Sequence, residues 1–525
     1  MSKSAHRARS ARLKVAVAVT VLGTAAACLT GCSSSGGGSS TAATTLTIAA
    51  ASAPISFDPT KNSNGGTQTF YQELTYEPLI EKSSSGAYAP GLATKWGYVP
   101  GHEGTEFEVT LRSGAKFSDG SAVTAAAVAN SINYFSKNAT GPSSGSFQGI
   151  TATGESSDKV LLTSATPNPT IAELLTAYNY AGDIINPTGL AAPSKLANAT
   201  FGAGPYVYQP SQSVTNSQYV FTPNKYYYDQ SRIHFKKVVV KVISDNTSAL
   251  SALRSGQVQI FQGDNTQSSA AKSAGQVVTA ATSDFTGVFL MDWEGKVVPA
   301  LGNLQVRQAL NDAVDRPAIA KAVFGTYGKA TEQPNTPGWD AYDPSLNNTY
   351  PYSPTKAKQL LSQAGDSAFS FNLLYAAFEP TTTKVVQAFA QQLSQVGVTV
   401  NLTGASNFSE LVSDLGKGTY SGLSLQWGGQ TQYSNTNELF TTSASVNPYK
   451  NTVQGLDKAF QEYNTSADAG RTAAAHAVEK ILVQQAVSVP IVQQQNLWIS
   501  SPKLKGFKLD PTGVSNSPAD WTLTK

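Results

Sequence analysis

The chain has 525 residues, of which only 14% are charged, and it carries 37 Lys and Arg against 34 Asp and Glu. Five of the basic residues precede residue 32, so the remainder has 32 basic against 34 acidic residues and is close to neutral. A near-neutral chain without a basic block argues against nucleic-acid binding. Some 490 residues also exceed the roughly 250–300 that one hydrophobic core supports, so we expect at least two lobes.

Residues 1–31 are predicted to be a lipoprotein signal peptide. The basic stretch Lys3–Lys14 contains no acidic residue, and the apolar run Val15–Leu29 has signal-peptide length but is short for a membrane span. The run leads into Leu-Thr-Gly-Cys, which resembles the bacterial lipobox, so we expect Cys32 to carry a diacylglyceryl group. An ordinary signal peptide or an uncleaved anchor is the alternative. Residues 32–45 have the composition of a flexible Ser/Gly tether.

The usage of cysteine and histidine argues against disulfides and metal sites in the folded part. Cys28 and Cys32 are the only cysteines, and both belong to the export region. The histidines after that region, His102, His234 and His476, are far apart and lack metal-ligand spacing. No cofactor is therefore predicted.

Apolar periodicity predicts strands and helices that alternate along both halves of the chain. Beyond the N-terminal region no segment is long and apolar enough to span a bilayer. Strands are predicted at residues 45–50, 107–111, 238–243, 398–402 and 487–492. Helices are predicted from Thr124 to about Phe135, from Asn246 or Thr247 to Gly256, around Val306 to Val314, from Asp315 to Gly325, around Val386 to Gly397, and from Ala474 to Gln485.

A series of short motifs follows in order along residues 46–510. They include two early signatures, a turn-rich stretch, a glycine turn, and helical segments in the second half: Tyr76–Ile80, Pro90–Ala93, Leu111–Gly120, Gly202–Tyr206, Ala252–Gly256, Val306–Leu310 and Ala357–Leu361. Together they resemble the extracellular solute-binding proteins of family 5, the peptide- and nickel-type receptors of ABC transporters. Most of these residues have structural roles in turns and helix ends, so they indicate the fold and leave the ligand open.

The resemblance implies an α/β, periplasmic-binding-protein-like bilobal clamp, type II-like and of the large cluster with an extra subdomain. Lobe I is expected to hold residues 46–283 together with 495–525, and lobe II residues 284–494. Cleft closure would bury the ligand, and the closed form would be recognised by an ABC permease. The resemblance therefore implies a monomeric binding protein, not an enzyme, anchored by its lipid at the extracytoplasmic face of the cell membrane.

The resemblance also points to the loop Leu425–Tyr433 as the part of lobe II that lines the cleft. In the peptide receptors an aspartate soon after the loop tryptophan commonly pairs with the ligand's α-ammonium. Here Gln430 stands at that place, and no Asp or Glu occurs between Asp414 and Glu438. The predicted ligand-binding residues are Trp427, Gln430, Tyr433, Trp293 and Ile55.

Two ligand classes, one rival function and one alternative partner remain open at this stage. The alternative partner is a membrane sensor that receives the ligand in place of a permease. An oligopeptide held by its backbone and a neutral, oligosaccharide-type ligand both suit a surface of amides and aromatic rings. For either ligand class, Trp427 is expected to offer a ring on which the ligand stacks. The alternative is that Trp427 packs in the core. The rival function is an exported hydrolase, because Gly141–Gly145 fits the G-x-S-x-G pattern. That motif needs a buried strand before the serine, and a helix is predicted there instead.

Overall fold

The computed structural model describes residues 45–62, 69–140, 144–444 and 446–524. Strands and helices alternate along these ranges, which confirms the predicted α/β class. The predicted signal peptide, Cys32 and nearly all of the tether lie outside the described residues, as do Gly141, Pro142 and Ser143 of the G-x-S-x-G match.

Most strands are short, and two are at least thirteen residues long. In chain order the strands are β1 (Thr45–Ala50), β2 (Ile80–Lys82), β3 (Tyr88–Pro90), β4 (Ala93–Tyr98), β5 (Glu106–Leu111), β6 (Ile150–Gly154), β7 (Lys159–Ser164), β8 (Tyr206–Tyr208), β9 (Gln218–Pro223), β10 (Lys237–Val242), β11 (Ile260–Gly263), β12 (Val277–Leu290), β13 (Gly328–Ala330), β14 (Phe369–Ala376), β15 (Val398–Ala405), β16 (Gly422–Ser424), β17 (Gln426–Gly428), β18 (Ser488–Ser500), β19 (Leu504–Lys505) and β20 (Thr522–Leu523).

The helices range from single turns to seventeen residues. In chain order they are α1 (Thr69–Glu73), α2 (Ala125–Asn138), α3 (Ser144–Phe147), α4 (Ile171–Leu174), α5 (Pro187–Leu190), α6 (Asn246–Arg254), α7 (Asn265–Ser273), α8 (Leu304–Asp312), α9 (Arg316–Phe324), α10 (Pro354–Ala364), α11 (Pro380–Ser394), α12 (Phe408–Leu415), α13 (Gln432–Leu439), α14 (Leu456–Asn464) and α15 (Asp468–Gln484). Within the described ranges, none of them has both the length and the hydropathy that crossing a bilayer requires.

Twelve of the described strands form one mixed sheet in the order β15-β14-β16-β12-β18-β11-β1-β10-β9-β8, with β13 beside β18 and β17 beside β12. The long strands β12 and β18 pair antiparallel, from Val277 opposite Ser500 to Phe289 opposite Ser488. One end of this pair meets β11, and the other end meets β13, β16 and β17. Both long strands therefore run through the whole junction between the two halves of the sheet. A separate antiparallel sheet, β4-β5-β7-β6, packs against α2.

The predicted helix starts are mostly confirmed by hydrogen bonds at the caps. Thr124 caps α2 by accepting a bond from the Ala127 amide, and Asp315 caps α9 in the same way through the Ala318 amide. The prediction of Asn246 or Thr247 as the cap of α6 is wrong by one or two residues. Asp245 is the cap, because its backbone is extended and its carboxylate reaches the third amide of the helix.

Buried apolar side chains form clusters that separate the chain near residue 284. One group of clusters uses residues 46–271 together with Trp498, Ile499, Leu504 and Trp521. The other group uses residues 285–492. A chain of this length is expected to build more than one core, and these cores follow the two halves of the sheet.

Candidate functional site

A cavity of about 820 Å³ lies where β12, β16 and β17 meet the C-terminal segment Thr512–Ser515. Cavities of this size are typical of sites for small molecules. Its walls combine residues that are far apart in the sequence. We call it the central cavity and define it by Tyr178, Asp284, Phe408, Trp427, Glu438 and Val514.

A β-bulge in β12 places Asp284 at the central cavity. The register between β12 and β18 shifts between Thr282 and Asp284, so Ser283 is an extra residue in β12. Bulges of this kind bend a strand and redirect a side chain, and they are frequent beside functional sites. The bulge is also bound to the loop after β17, because the Gly429 amide donates a hydrogen bond to the Ser283 carbonyl at 2.7 Å.

The Asp284 carboxyl is partly buried between two neighbouring strands, opposite Gly428 of β17 and Gln494 of β18. The Ser283 hydroxyl donates to Asp284 Oδ2 at 2.6 Å. Burial, with a smaller contribution from Glu379, raises the pKa of Asp284 to about 6, although the hydrogen bonds from Ser283 and Gln494 oppose the shift. The Asp284 carboxyl group therefore changes its charge at a pH closer to neutral than an ordinary aspartate does.

Hydrogen bonds connect Trp427, Gln430 and the first turns of α13. The Trp427 indole N–H donates to Asn435 Oδ1 at 3.1 Å, and Gln430 Nε2 donates to the same oxygen at 3.0 Å. The Trp427 ring also packs edge-on against Phe289, with ring centroids 5.6 Å apart. The loop from Trp427 to Gln430 is thus fixed by polar and aromatic contacts while it lines the central cavity.

Glu438 is the second carboxyl group of the central cavity, and it lies on α13. Its Oε2 accepts a hydrogen bond from Gln430 Nε2 at 3.1 Å. Burial raises the pKa of Glu438 to about 7, and the bond from Gln430 opposes this shift. Its other oxygen, Oε1, accepts no hydrogen bond from the described part of the chain. Two carboxyl groups with raised pKa values thus border one cavity.

The central cavity also has an apolar surface, which comes mainly from α12 and β16. Phe408 and Val412 on α12 are 63% and 53% exposed, which is unusual for large apolar side chains. We call the following set the apolar wall of the central cavity: Phe408, Leu411, Val412, Leu415, Leu423 and Leu425.

Basic side chains are absent from the described lining of the central cavity. Within the described residues, its lining includes no Lys, Arg or His. Neither Asp284 nor Glu438 takes part in an ion pair with a described residue. The described residues also contain no group of three His, Cys, Asp or Glu that could hold a metal ion.

The structure brings together only part of the predicted ligand-binding set. Trp427 and Gln430 line the central cavity. Tyr433 is buried and packs against Phe460, and Trp293 is buried with its indole N–H on the Thr452 carbonyl at 2.8 Å. These two residues and Ile55, which is 63% exposed, lie outside the lining of the central cavity. A ligand contact for any of the five residues stays a prediction.

Tyr178, Asp284 and Glu438 are not predicted from the sequence. The motif pattern points to the loop Leu425–Tyr433 and gives no indication of the strands and helices around it. The expected surface of amides and aromatic rings is present, but it is accompanied by two carboxyl groups. The available signal was Asp284 itself, the only charged residue in a strand that otherwise reads VVTAATS and FTGVFL.

Residues 146 and 178 contact residues 339, 429 and 434, in and near the loop that lines the central cavity. The Tyr178 hydroxyl donates to the Gly429 carbonyl at 3.4 Å, and the Tyr178 and Trp339 rings are 5.8 Å apart. The Ser146 and Ser434 hydroxyls are 2.8 Å apart. Polar contacts of this kind are easily exchanged with water, so they are compatible with an interface that opens and closes.

Comparison with known proteins shows which family the chain resembles. The family model for bacterial extracellular solute-binding proteins, family 5 middle, matches residues 87–450, which is more than half of the chain. The probable D,D-dipeptide-binding periplasmic protein DdpA of Escherichia coli (strain K12) is 26% identical over 483 residues, covering 88% of this chain and 91% of that protein. The glutathione-binding protein GsiB of Shigella dysenteriae serotype 1 is 26% identical over 452 residues, with 81% and 84% covered.

Among solved structures, HbpA2 from Haemophilus parasuis superposes with a TM-score of 0.78 at 18% identity, covering 92% of this chain and 100% of that chain. The periplasmic murein tripeptide binding protein MppA in its unliganded open form superposes with a TM-score of 0.75 at 22% identity, covering 92% of this chain and 98% of that chain. The fold is therefore that of the periplasmic binding proteins, as the motifs predict. The chain belongs to the bacterial extracellular solute-binding proteins of family 5. It is the substrate-binding component of an ABC importer, which confirms the main functional prediction.

Proposed function

We propose that the central cavity is the solute site and that the protein closes around its ligand as a two-lobed clamp. The observation that carries this proposal is the composition of the cavity walls. Tyr178 and Val514 belong to the expected lobe I, whereas Trp427 and Glu438 belong to the expected lobe II. A solute that touches both lobes stabilises the closed form by its differential affinity, and no covalent step is needed.

The solute is a short peptide or a peptide-like molecule. Two relatives that match most of the chain are named for a D,D-dipeptide and for glutathione. The volume of the central cavity suits a ligand of that size. Trp427 offers an aromatic surface, and Gln430 with the Gly428–Gly429 backbone offers hydrogen-bonding groups for amides.

The protein works as a monomer at the extracytoplasmic face of the cell membrane. Residues 1–31 direct export, and Cys32 carries the lipid anchor that holds the folded part through the Ser/Gly tether. The lipobox-like sequence and the extracellular or periplasmic descriptions of the family and its relatives support this arrangement. The permease of the importer receives the closed, loaded form. The relatives are binding proteins, and hydrolysis has no place in this mechanism.

A solute screen tests the proposal. Residues 33–525 are titrated with peptides of two to five residues, free amino acids and oligosaccharides, and thermal stability and tryptophan fluorescence are recorded. At least one solute is expected to bind one-to-one and to raise the melting temperature, since a ligand at 100 times its Kd stabilises by about 2.7 kcal/mol. Trp427→Ala is expected to abolish the response, whereas Tyr352→Ala, at an exposed aromatic residue outside the cavity, keeps it. Binding that both variants retain in full contradicts the assignment of the cavity.

A further inference from the structure

The two carboxyl groups of the central cavity have no cationic partner among the residues that the structure describes. Asp284 and Glu438 lie on different elements, the bulge of β12 and the helix α13, yet they line the same cavity. Burial raises the pKa of Tyr178, and both carboxylates lie within electrostatic range of its phenol and add to this shift. Among the described lining residues no Lys, Arg or His balances them. The carboxyl groups thus give the described cavity wall acidic groups without basic ones.

The neighbouring polar atoms are hydrogen-bond acceptors as well. Gln494, which is 5% exposed, bonds to Asp284, and its Oε1 is buried without a hydrogen-bond partner among the described residues. Glu438 Oε1 is likewise without a donor in the described part of the chain. Glu438 is part of the cavity lining, so a group that enters this part of the cavity meets its free acceptor oxygen. Such a site is satisfied by a ligand that brings donors.

The energetics favour a cation over a neutral donor. A buried carboxylate without a counter-charge is costly, which is why both groups hold their protons more tightly than usual. An ammonium or guanidinium group would supply both the missing charge and the missing donors through charge-assisted hydrogen bonds. A neutral oligosaccharide would supply donors only and would leave both carboxyl groups without a charge partner.

The apolar wall of the cavity favours a second property of the ligand, an apolar body. The apolar wall presents six large apolar side chains, and two of them, Phe408 and Val412, are more than half exposed. A ligand that covers apolar area removes it from water, which stabilises the complex. A small hydrophilic cation would leave this wall in water, whereas a ligand with an aliphatic or aromatic body would cover it.

We infer that the solute of this receptor carries a cationic nitrogen held by Asp284 and Glu438 and an apolar body packed against the apolar wall. The inference rests on the proposed function, because it names the chemical class of the solute that the central cavity captures. It also assigns the recognition of charge to positions outside the loop Leu425–Tyr433, where the motif pattern had placed it.

Matched probes test the inference. Dipeptide amides Xaa-Leu-NH2, with Xaa as each apolar residue and a free α-amine, are compared with their N-acetylated forms, with Gly-Gly-NH2 and with maltotriose. Binding to residues 33–525 is measured by calorimetry at pH 7.5. At least one free amine is expected to bind at least tenfold more tightly than its acetylated form and than Gly-Gly-NH2. Asp284→Asn and Glu438→Gln are each expected to weaken that amine at least tenfold, and the exposed-site control Glu462→Gln leaves its affinity unchanged.

The outcomes separate the inference from the proposed function. An acetylated peptide or maltotriose that binds as tightly as any free amine overturns the cationic assignment and leaves solute capture intact. Equal binding of the amine by the wild-type chain and by both folded carboxamide variants also overturns it. A chain that binds no probe here and no solute in the broader screen contradicts both. Circular dichroism establishes that each variant is folded, and the two variants lie on separate elements.

Discussion

Burial sets the charge state of several carboxyl groups in this protein. Glu479 is fully buried on α15; its Oε2 accepts a bond from Asn335 Nδ2 at 2.8 Å, and its Oε1 has no partner among the described residues. Burial raises the pKa of Glu479 to about 8. The same cause raises the pKa of Glu73 to about 8, and neighbouring carboxylates add to it. A protonated side chain is thus part of the stable folded state at neutral pH.

Glu479→Gln is expected to flatten the pH dependence of stability. A carboxyl group whose pKa is raised on folding binds a proton in the folded state and releases it on unfolding between about pH 4.5 and pH 8. The free energy of unfolding of the wild-type chain therefore falls as the pH rises through this window. The variant lacks this part of the fall, which is on the order of a few kcal/mol. Denaturant unfolding at pH 5 and pH 8 measures the difference, with Glu462→Gln as an exposed control. A wild-type slope in the variant would show that Glu479 does not titrate in this window.

The affinity for a cationic solute is expected to fall as the pH is lowered from 8 to 5. The pKa values of Asp284 and Glu438 are raised to about 6 and about 7, so both groups gain protons in this range. Asp284 faces Ser283, Gln494 and the Glu379 carboxylate, and Glu438 faces Gln430. The Tyr178 phenol lies within electrostatic range of both. A protonated carboxyl group no longer pairs with a cation, so the Kd rises at least tenfold. Calorimetry with the free-amine probe at several pH values measures this change. A Kd that is constant in the wild-type chain across the range would contradict a charge-paired site.

At the scale of single residues, the sequence predicts some of the site. Trp427 and Gln430 are predicted and line the central cavity, because their loop matches a family motif of fixed order. Asp284 enters only through a register shift in a long strand, and Glu438 only through the path of α13. Neither a bulge nor the direction of a short helix can be derived from local periodicity. The position of these two residues at the central cavity is therefore visible only in the structure.

At the scale of elements, the loop after β17 depends on a residue without a side chain. A Cβ at Gly429 would lie 2.2 Å from Trp339 Nε1 and 2.4 Å from Thr336 Oγ1, both on buried residues. The Gly429 carbonyl also accepts the Tyr178 hydroxyl, and its amide bonds to Ser283. The glycine therefore lets the loop lie close to two other segments and to the bulge of β12.

Gly429→Ala is expected to destabilise the protein by about 1–3 kcal/mol, because overpacking of this size forces neighbouring groups apart. It is also expected to weaken solute binding, since the displaced loop carries Trp427 and Gln430. Thermal unfolding and the fluorescence titration measure the two effects. Gly470→Ala is the matched control, because a Cβ there meets nothing within 4 Å. If Gly429→Ala behaves like the control in both measurements, the close packing of this loop has no functional weight.

The elements themselves are largely predictable. Strong periodicity and clear caps predict α2, α9, α11 and the strand β10, which is buried along its centre. The long strand β12 is not predicted, because threonines, serine and aspartate interrupt its apolar pattern and a bulge breaks the alternation. Its stability comes from pairing with β18 along nearly its full length, which is a tertiary effect.

At the scale of the whole molecule, the two long strands connect two groups of cores. Residues before 284 and the C-terminal residues share one group, and residues 285–492 form the other. The predicted lobe boundaries stay a prediction, and the motion between lobes stays part of the proposal. The family, the fold and the transport role follow from the ordered motifs. The chemical class of the solute depends on side chains that meet only in the folded chain.

The lipid anchor is tested at the same scale. Cys32→Ser is expected to abolish incorporation of a labelled fatty acid into the full-length chain expressed in a lipoprotein-processing bacterium. The protein is then released from the membrane fraction, because stable attachment needs the acyl chains. Cys28→Ser is the matched control and keeps both the label and the membrane location. Membrane retention by Cys32→Ser without the label would favour an uncleaved anchor.

Solute capture in the central cavity is tested most directly by native mass spectrometry of residues 33–525 after gentle purification from cells. The wild-type chain is expected to retain one small molecule per protein, and fragmentation is expected to show a basic nitrogen in that molecule. Trp427→Ala and Asp284→Asn are expected to lose it. A molecule retained to the same extent by the wild-type chain and by both variants would contradict capture in the central cavity.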